Sequence, residues 1–557
     1  MIRESVLINA CVQQGLFSDE LVKETQKQTR RSQQNLLQGL AYQARMPMSA
    51  FYRAYAGLHR IPFIAGGALI PDLKVFRKLP MGMAERKLLL PIVQNSDTHG
   101  AANDRLTERR TRIRMVVSNP EDQAGIQQLE RSLGASIDLC MADPKAIRYA
   151  LQKAIEATPS IVPSELPELA FDSVQVLDEV FEEAWLCRAS DIHIEPYKES
   201  IQVRLRVDGR LQEYPRQFLV EEGLSLMSRM KVLASMDISE QRMPQDGGLT
   251  HTLANGIEFD VRAATMPTRF GERATLRLLG SDNQALSLSN IGMGARDQAL
   301  FEREIRKPHG IILITGPTGS GKSTTLYAAL QHIADTELNI MTVEDPVEYV
   351  MEGISQVQVG AKVSFSSALR SFLRHDPDVM MVGEIRDGET AGIAMKAAMT
   401  GHLVFSTLHT NSAIGAVNRL VDMDAERYLI GATLLAVIAQ RLVRKLCPQC
   451  KQQRPVNEAE QVALQCEPDA QVWVPSGCAH CLDSGYKGRI ALFETYWIDA
   501  KARQMIAEDA TEAELRKHAS EFSDLLSDGR QKVLQGVTSI SELQRLGLIQ
   551  VFDEGVL

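Results

Sequence analysis

The run Gly310 to Thr315 (GIILIT), the string GPTGSGKST that follows it and the segment STTLYAALQHIA constrain this chain more than anything else in its sequence. A short apolar run of this kind predicts a buried parallel strand, and the segment after the glycines predicts a helix. Strand, glycine loop and helix are the context that the spacing GxxxxGK[ST] requires, because small residues let backbone N–H groups close around phosphate oxygens at a helix N-terminus. Gly316, Pro317, Thr318, Gly319, Ser320, Gly321, Lys322, Ser323 and Thr324 are therefore expected to form a phosphate cradle. Lys322 meets the β- and γ-phosphates, and Ser323 places its hydroxyl on a Mg²⁺ that offsets charge developing during phosphoryl transfer.

Three further apolar runs end beside polar groups. Val379 to Val382 (VMMV) leads into GEIRD, which puts Glu384 at the C-terminal end of a short strand. Gly383 stands where many P-loop enzymes carry a metal-binding Asp, so Glu384 is read as polarising the attacking water. Ile340 to Val343 precedes Glu344, Asp345 and Glu348, while Leu403 to Phe405 lies between His402 and His409. The carboxyl ends of neighbouring parallel strands converge on one crevice, so all of these acids and histidines are expected to approach the same nucleotide. Asp345 or Glu348 would hold the water shell of the metal, and His409 would sense the γ-phosphate.

At 557 residues the chain exceeds one ordinary core, and two to four domains are expected. Residues 1–156 read as a mainly helical partner-docking domain, with Ser18 and Asp19 offering an N-cap and the polar stretch Asn95 to Arg112 an exposed loop. Pro159, Pro163 and Pro167 mark a linker at 157–168. Residues 169–283 form a second, smaller α+β domain of PAS-like type, whose strands alternate in period two: Val203, Leu205 and Val207 oppose Arg204 and Arg206, and Asp208 with Gly209 makes the turn. Ile257, Phe259 and Val261 against Arg262, and Ala274, Leu276 and Leu278 against Arg273 and Arg277, repeat the pattern. A hinge at Gly280 to Asn290 then opens the third part, 284–557, an α/β domain of RecA-like P-loop type.

Cys447 with Cys450 and Cys478 with Cys481 form two CxxC pairs within 447–481, a geometry that suits one structural Zn²⁺ closed to water. The other four cysteines read as ordinary thiols, so a reducing cytoplasm is the expected compartment. The N-terminus has no apolar core of signal-peptide length, and the longest apolar stretch, Ile430 to Ala439, falls well short of the roughly 20 residues needed to span a bilayer. Membrane contact is expected through partners. The net charge of −9 gives no overall basic field, and no nucleic-acid partner is expected.

GPTGSGKSTTLYAAL, VEDPVEY, LRSFLRHDPDVMMVGEIRD and TGHLVFSTLHTN together resemble the secretion ATPase family, which includes type II secretion ATPases and type IV pilus assembly ATPases. They match its Walker A, Asp box, Walker B and His box in order and approximate spacing. SDIHIEP, VRLRVDGRL and RMPQDG resemble the family's second N-terminal domain, while LPMGMAERKLLLPI loosely resembles its first. The resemblance implies ATP as the nucleotide and a homo-hexameric ring in which arginines of the smaller domain, here Arg262 and Arg277, close over phosphate, with Arg370, Arg374 and Arg386 as candidates at the subunit interface. It also implies a motor peripheral to the inner membrane, working on a membrane platform and cytoplasmic adaptors to power pseudopilus or pilus assembly. The tetracysteine module favours assembly over retraction, and type II secretion is preferred to pilus assembly. A nucleic-acid translocase or conjugation-type ATPase is the alternative from another class. The N-terminal region lacks a pair of Arg-Leu-Gly motifs, so no cyclic dinucleotide is expected there.

Overall fold

In the computed structural model, residues 2–32, 35–93, 112–158, 171–280, 287–519 and 523–550 are described. The polar loop before Arg112, the proline linker from Pro159 onward and part of the second hinge lie outside them. The chain divides into two units, Met1–Ser281 with Gly477–Ser484, and Asp282–Ser476 with Gly485–Leu557.

The first unit begins with helices, as the amphipathic pattern predicts. Ser18 accepts the Leu21 N–H at 3.2 Å and so opens the helix Asp19–Ser32. Residues 1–156 also hold a three-stranded sheet that the pattern did not announce, in the order β1 (Leu89–Pro91), β2 (Arg112–Val117), β3 (Ser136–Met141). These strands are three to six residues long and separated by helix or by undescribed chain, too short for a period to stand out. A six-stranded antiparallel sheet follows, made of β4 (Ala189–Pro196), β5 (Ile201–Val207), β6 (Arg210–Phe218), β7 (Gln245–Thr252), β8 (Glu258–Thr268) and β9 (Gly271–Leu278), in the order β6-β5-β4-β9-β8-β7. Asp208 (φ 48°) and Gly209 (φ 82°) both take the left-handed conformation of a tight hairpin, so Val207 pairs with Arg210. Val203, Leu205, Val261, Ala263, Ala274 and Leu276 are buried beneath this sheet, in a core that also takes in side chains from residues 2–158.

The second unit is built on β10 (Gly310–Thr315), β11 (Ile340–Glu344), β12 (Ser355–Gln358), β13 (Val379–Val382), β14 (Leu403–Leu408) and β15 (Leu434–Leu446), followed by the small hairpin β16 (Gln452–Pro455) and β17 (Gln471–Val474) and by β18 (Tyr486–Trp497). The main sheet runs β12-β11-β13-β14-β10-β15-β18, parallel throughout except for the antiparallel β15–β18 pair. Ile311 and Leu313 enter one core and Ile312 and Ile314 the other, which explains a strand with no polar position. Burial on both faces is the mark of a parallel sheet and leaves function to the strand ends.

Candidate active site

β10 delivers the chain into Gly316 at the C-terminal edge of the sheet, and the helix Lys322–Ile333 leaves from the far side of the loop. Gly316 has φ 145°, and a Cβ there would meet the Gln440 carbonyl oxygen at 2.5 Å and Ser320 Oγ at 2.7 Å. Only glycine lets the loop lie this close to β15. Gln440, 2 % exposed, braces the cradle from behind, its Oε1 accepting the Thr325 hydroxyl at 2.9 Å. Lys322 Nζ donates to the carbonyls of Gly316 at 2.8 Å and Pro317 at 3.1 Å, which folds the ammonium over the loop where phosphates dock. Burial pulls the pKa of Lys322 down, while Glu384 acts in the opposite sense. Ser323 and Thr324 are half-buried in the first turn of the helix.

Glu384 leaves the end of β13. Its Oε2 lies 3.1 Å from His409 Nε2, and its Oε1 accepts from Arg386, whose Nη2 also reaches Asp345 Oδ2 at 3.2 Å. Burial alone would raise the pKa of Glu384, but the hydrogen bonds from Arg386 and His409 hold it below its ordinary value. The carboxylate is therefore ionised at neutral pH and fixed in direction, as a group that orients water must be. The His409 loop is tied to the cradle strand: Thr315 Oγ1 accepts the Thr410 N–H at 2.8 Å and lies 2.7 Å from Thr410 Oγ1.

Two expected residues are placed elsewhere. His402 precedes β14 and lies at its N-terminal end, its Nδ1 2.9 Å from the Ala397 carbonyl oxygen. In a parallel sheet that is the edge opposite the cradle, about 20 Å away along six residues of strand. Glu344 ends β11 but is only 4 % exposed, and its carboxylate turns into the core to accept from Thr342, Gln356 and Tyr327. Asp345 and Glu348, the next acids, are exposed. Of the arginines expected at a subunit interface, Arg386 contacts Glu384, Arg370 pairs with Glu389, and Arg374 donates to the Arg370 carbonyl at 3.0 Å. Tyr327, Thr315 and Thr410 lie within or beside the quoted strings but carry no assigned role there, and the one trace of Gln440 in the sequence is that it ends an apolar run.

In the first unit Arg262 and Arg277 stand directly opposite each other on β8 and β9. Like charges so placed repel. Asp191 Oδ1 takes Arg277 Nε at 3.1 Å, and Glu195 accepts Arg204 through both oxygens, at 2.6 and 2.7 Å, with Arg273 at 2.9 Å. Arg262 is exposed.

The Sγ atoms of Cys447, Cys450, Cys478 and Cys481 lie within 4.8 Å of one another, the one group of metal-competent side chains of its kind among the described residues. Cys478 and Cys481 Sγ are 3.8 Å apart, matching the edge of a tetrahedron with metal–sulfur bonds of about 2.3 Å. Four thiolate donors with that spacing fit zinc and leave no open position.

The crevice combines a glycine-rich backbone loop, a lysine and a serine hydroxyl at a helix N-terminus and an ionised carboxylate at the end of β13, which β14 separates from β10, and this combination is that of a RecA-like P-loop ATPase. The model of the type II/IV secretion system protein family matches residues 171–545, and that of the MshEN domain matches 59–160. Type II secretion system protein E of Pseudomonas aeruginosa is 45 % identical over 441 residues, covering 78 % of this chain and 84 % of the relative. The type IV pilus assembly ATPase PilB of Myxococcus xanthus is 37 % identical over 508 residues, covering 85 % and 86 %. The Legionella pneumophila ATPase DotB, at 24 % identity, shares the fold with a TM-score of 0.52 over 69 % of this chain and 97 % of its own. The chain thus belongs to the type II/IV secretion system protein family and is an ATPase. No helix among the described residues is long and apolar enough to cross a membrane.

Proposed function

We propose that this ATPase works as a ring of six copies whose ATP-driven domain motion powers assembly of a pseudopilus in type II secretion. The higher identity to a type II secretion protein than to a pilus assembly ATPase favours that machine. A membrane platform and cytoplasmic adaptors would receive the motion, the first 156 residues being the docking part. The observation that carries the chemistry is the convergence of Lys322, Glu384 and His409 from the C-terminal ends of β10, β13 and β14.

Lys322 and the loop N–H groups would hold the β- and γ-phosphates, and Ser323 would hold Mg²⁺, which when bound would supply Lewis-acid stabilisation of the transferring phosphoryl group. Asp345 or Glu348 would hold the water shell of that metal. Glu384 orients the attacking water, and His409 steers Glu384 while facing the γ-phosphate. Arg262 and Arg277 supply positive charge to the transition state. Cys447, Cys450, Cys478 and Cys481 hold a structural zinc.

Lys322→Ala and Glu384→Gln should each lower turnover by about 100- to 1,000-fold, the Gln variant retaining ATP affinity. Steady-state hydrolysis and equilibrium binding of a fluorescent ATP analogue measure the two effects. Normal turnover in either variant overturns the site assignment.

A further inference from the structure

The carboxylate of Glu344 lies in the core with no cation paired to it among the described residues, although burying an acid is costly. Its neighbours give a reason for keeping it. Oε1 accepts from Thr342 Oγ1 at 2.6 Å and from Gln356 Nε2 at 3.1 Å, and Oε2 accepts from the Tyr327 hydroxyl. Tyr327, 1 % exposed, sits five residues after Lys322 on the same helix. Its oxygen in turn accepts the Glu348 backbone N–H at 3.2 Å. Gln356 extends the grip, donating to the Tyr349 carbonyl at 2.9 Å and accepting the Met351 N–H at 2.7 Å, while the Tyr349 ring meets Tyr327 edge-on at 5.4 Å.

A tyrosine hydroxyl has one proton to give, and here it is directed at Glu344 Oε2, which leaves the lone pairs of the oxygen for Glu348 N–H. Burial and the Glu344 hydrogen bond both push the Tyr327 pKa up, so the phenol keeps that proton. The segment carrying Asp345 and Glu348 is thus fastened to the helix that starts at Lys322.

We propose that Tyr327 and Glu344 are positioning residues for hydrolysis, linking the phosphate cradle to the backbone of Glu348 so that its carboxylate meets the metal's water shell in register. This rests on the assignment of Glu348 to the nucleotide site. The test is a double-mutant cycle on the full chain, with Tyr327→Phe, which keeps the buried ring, Glu348→Gln, and the two combined.

Tyr327→Phe should lower kcat about tenfold with KM for ATP within about twofold, and the combined variant should be no slower than Glu348→Gln alone. Unchanged kcat in Tyr327→Phe, a loss confined to KM, or a further tenfold loss in the combined variant overturns the proposal. A fully active Glu348→Gln removes its premise, which marks a failure of the site assignment as distinct from a failure of the link. Should Tyr327→Phe fail to fold, Gln356→Ala completes the cycle with the same expected non-additivity.

Discussion

The parallel sheet of the second unit and the antiparallel sheet of the first put their chemistry in different places. Strands β10, β13 and β14 are buried along their whole length, so Lys322, Glu384 and His409 can stand only beyond the strand ends. Strands β5, β8 and β9 alternate buried with more open positions, and Arg204, Arg262, Arg273 and Arg277 are spread over that polar side, while β4 is buried almost throughout and its Asp191 and Glu195 pair with arginines of the neighbouring strands. One sheet concentrates charge at an edge and the other distributes it over a face. An edge makes a pocket, whereas a face becomes functional only when something covers it.

The cysteine cluster belongs to neither sheet, and removing the zinc proposed for it should give the largest local loss. Structural zinc contributes on the order of 10 kcal/mol in small domains. Protein purified without chelator should release about one zinc per chain when its thiols are blocked, read with a colorimetric chelator, and the melting temperature should fall. Metal content near zero sinks the assignment.

Next comes the face. Arg262→Ala should lower kcat by about 10- to 100-fold with little change in stability, because the side chain is exposed. Arg277→Ala should lower the rate and cost at most about 1 kcal/mol of stability, since the pair it makes with Asp191 at 3.1 Å is open to water on the arginine side and Asp191 keeps Arg206 at 3.6 Å. Hydrolysis assays beside urea titrations separate the two, and full activity in both variants would reduce this face to a solvated surface.

The smallest effect tests the edge. Thr315→Val removes the acceptor of the half-buried Thr410 N–H and should cost about 1 kcal/mol in urea unfolding. A neutral substitution would mean that the His409 loop is not held by the cradle strand.

How legible these features are follows the same division. GIILIT and GPTGSGKST announce strand, loop and helix because an apolar run of strand length and a fixed glycine spacing are both local. The period-two strands of the antiparallel sheet are equally readable, down to the turn at Asp208 and Gly209. Glu344 misleads because both faces of β11 are buried, so nothing in the sequence tells which way an acid at the strand end turns. The same-face spacing of Thr342 and Glu344, seen in their hydrogen bond, becomes meaningful only once Tyr327 is placed beneath them. His402 is different: a residue before a parallel strand belongs to the opposite edge from one after it, so its position follows from the strand assignment itself. The contact of Arg386 with Glu384 spans two residues in sequence, and no period or motif marks it.

The brace at Gln440 bears on how the protein is made. Thr325 and Gln440 are 115 positions apart, and both strands that flank β10, β14 and β15, come later in the chain than the loop they support. During synthesis the glycine loop leaves the ribosome long before its back wall exists. The loop therefore gains its full set of neighbours only after β15 has been translated.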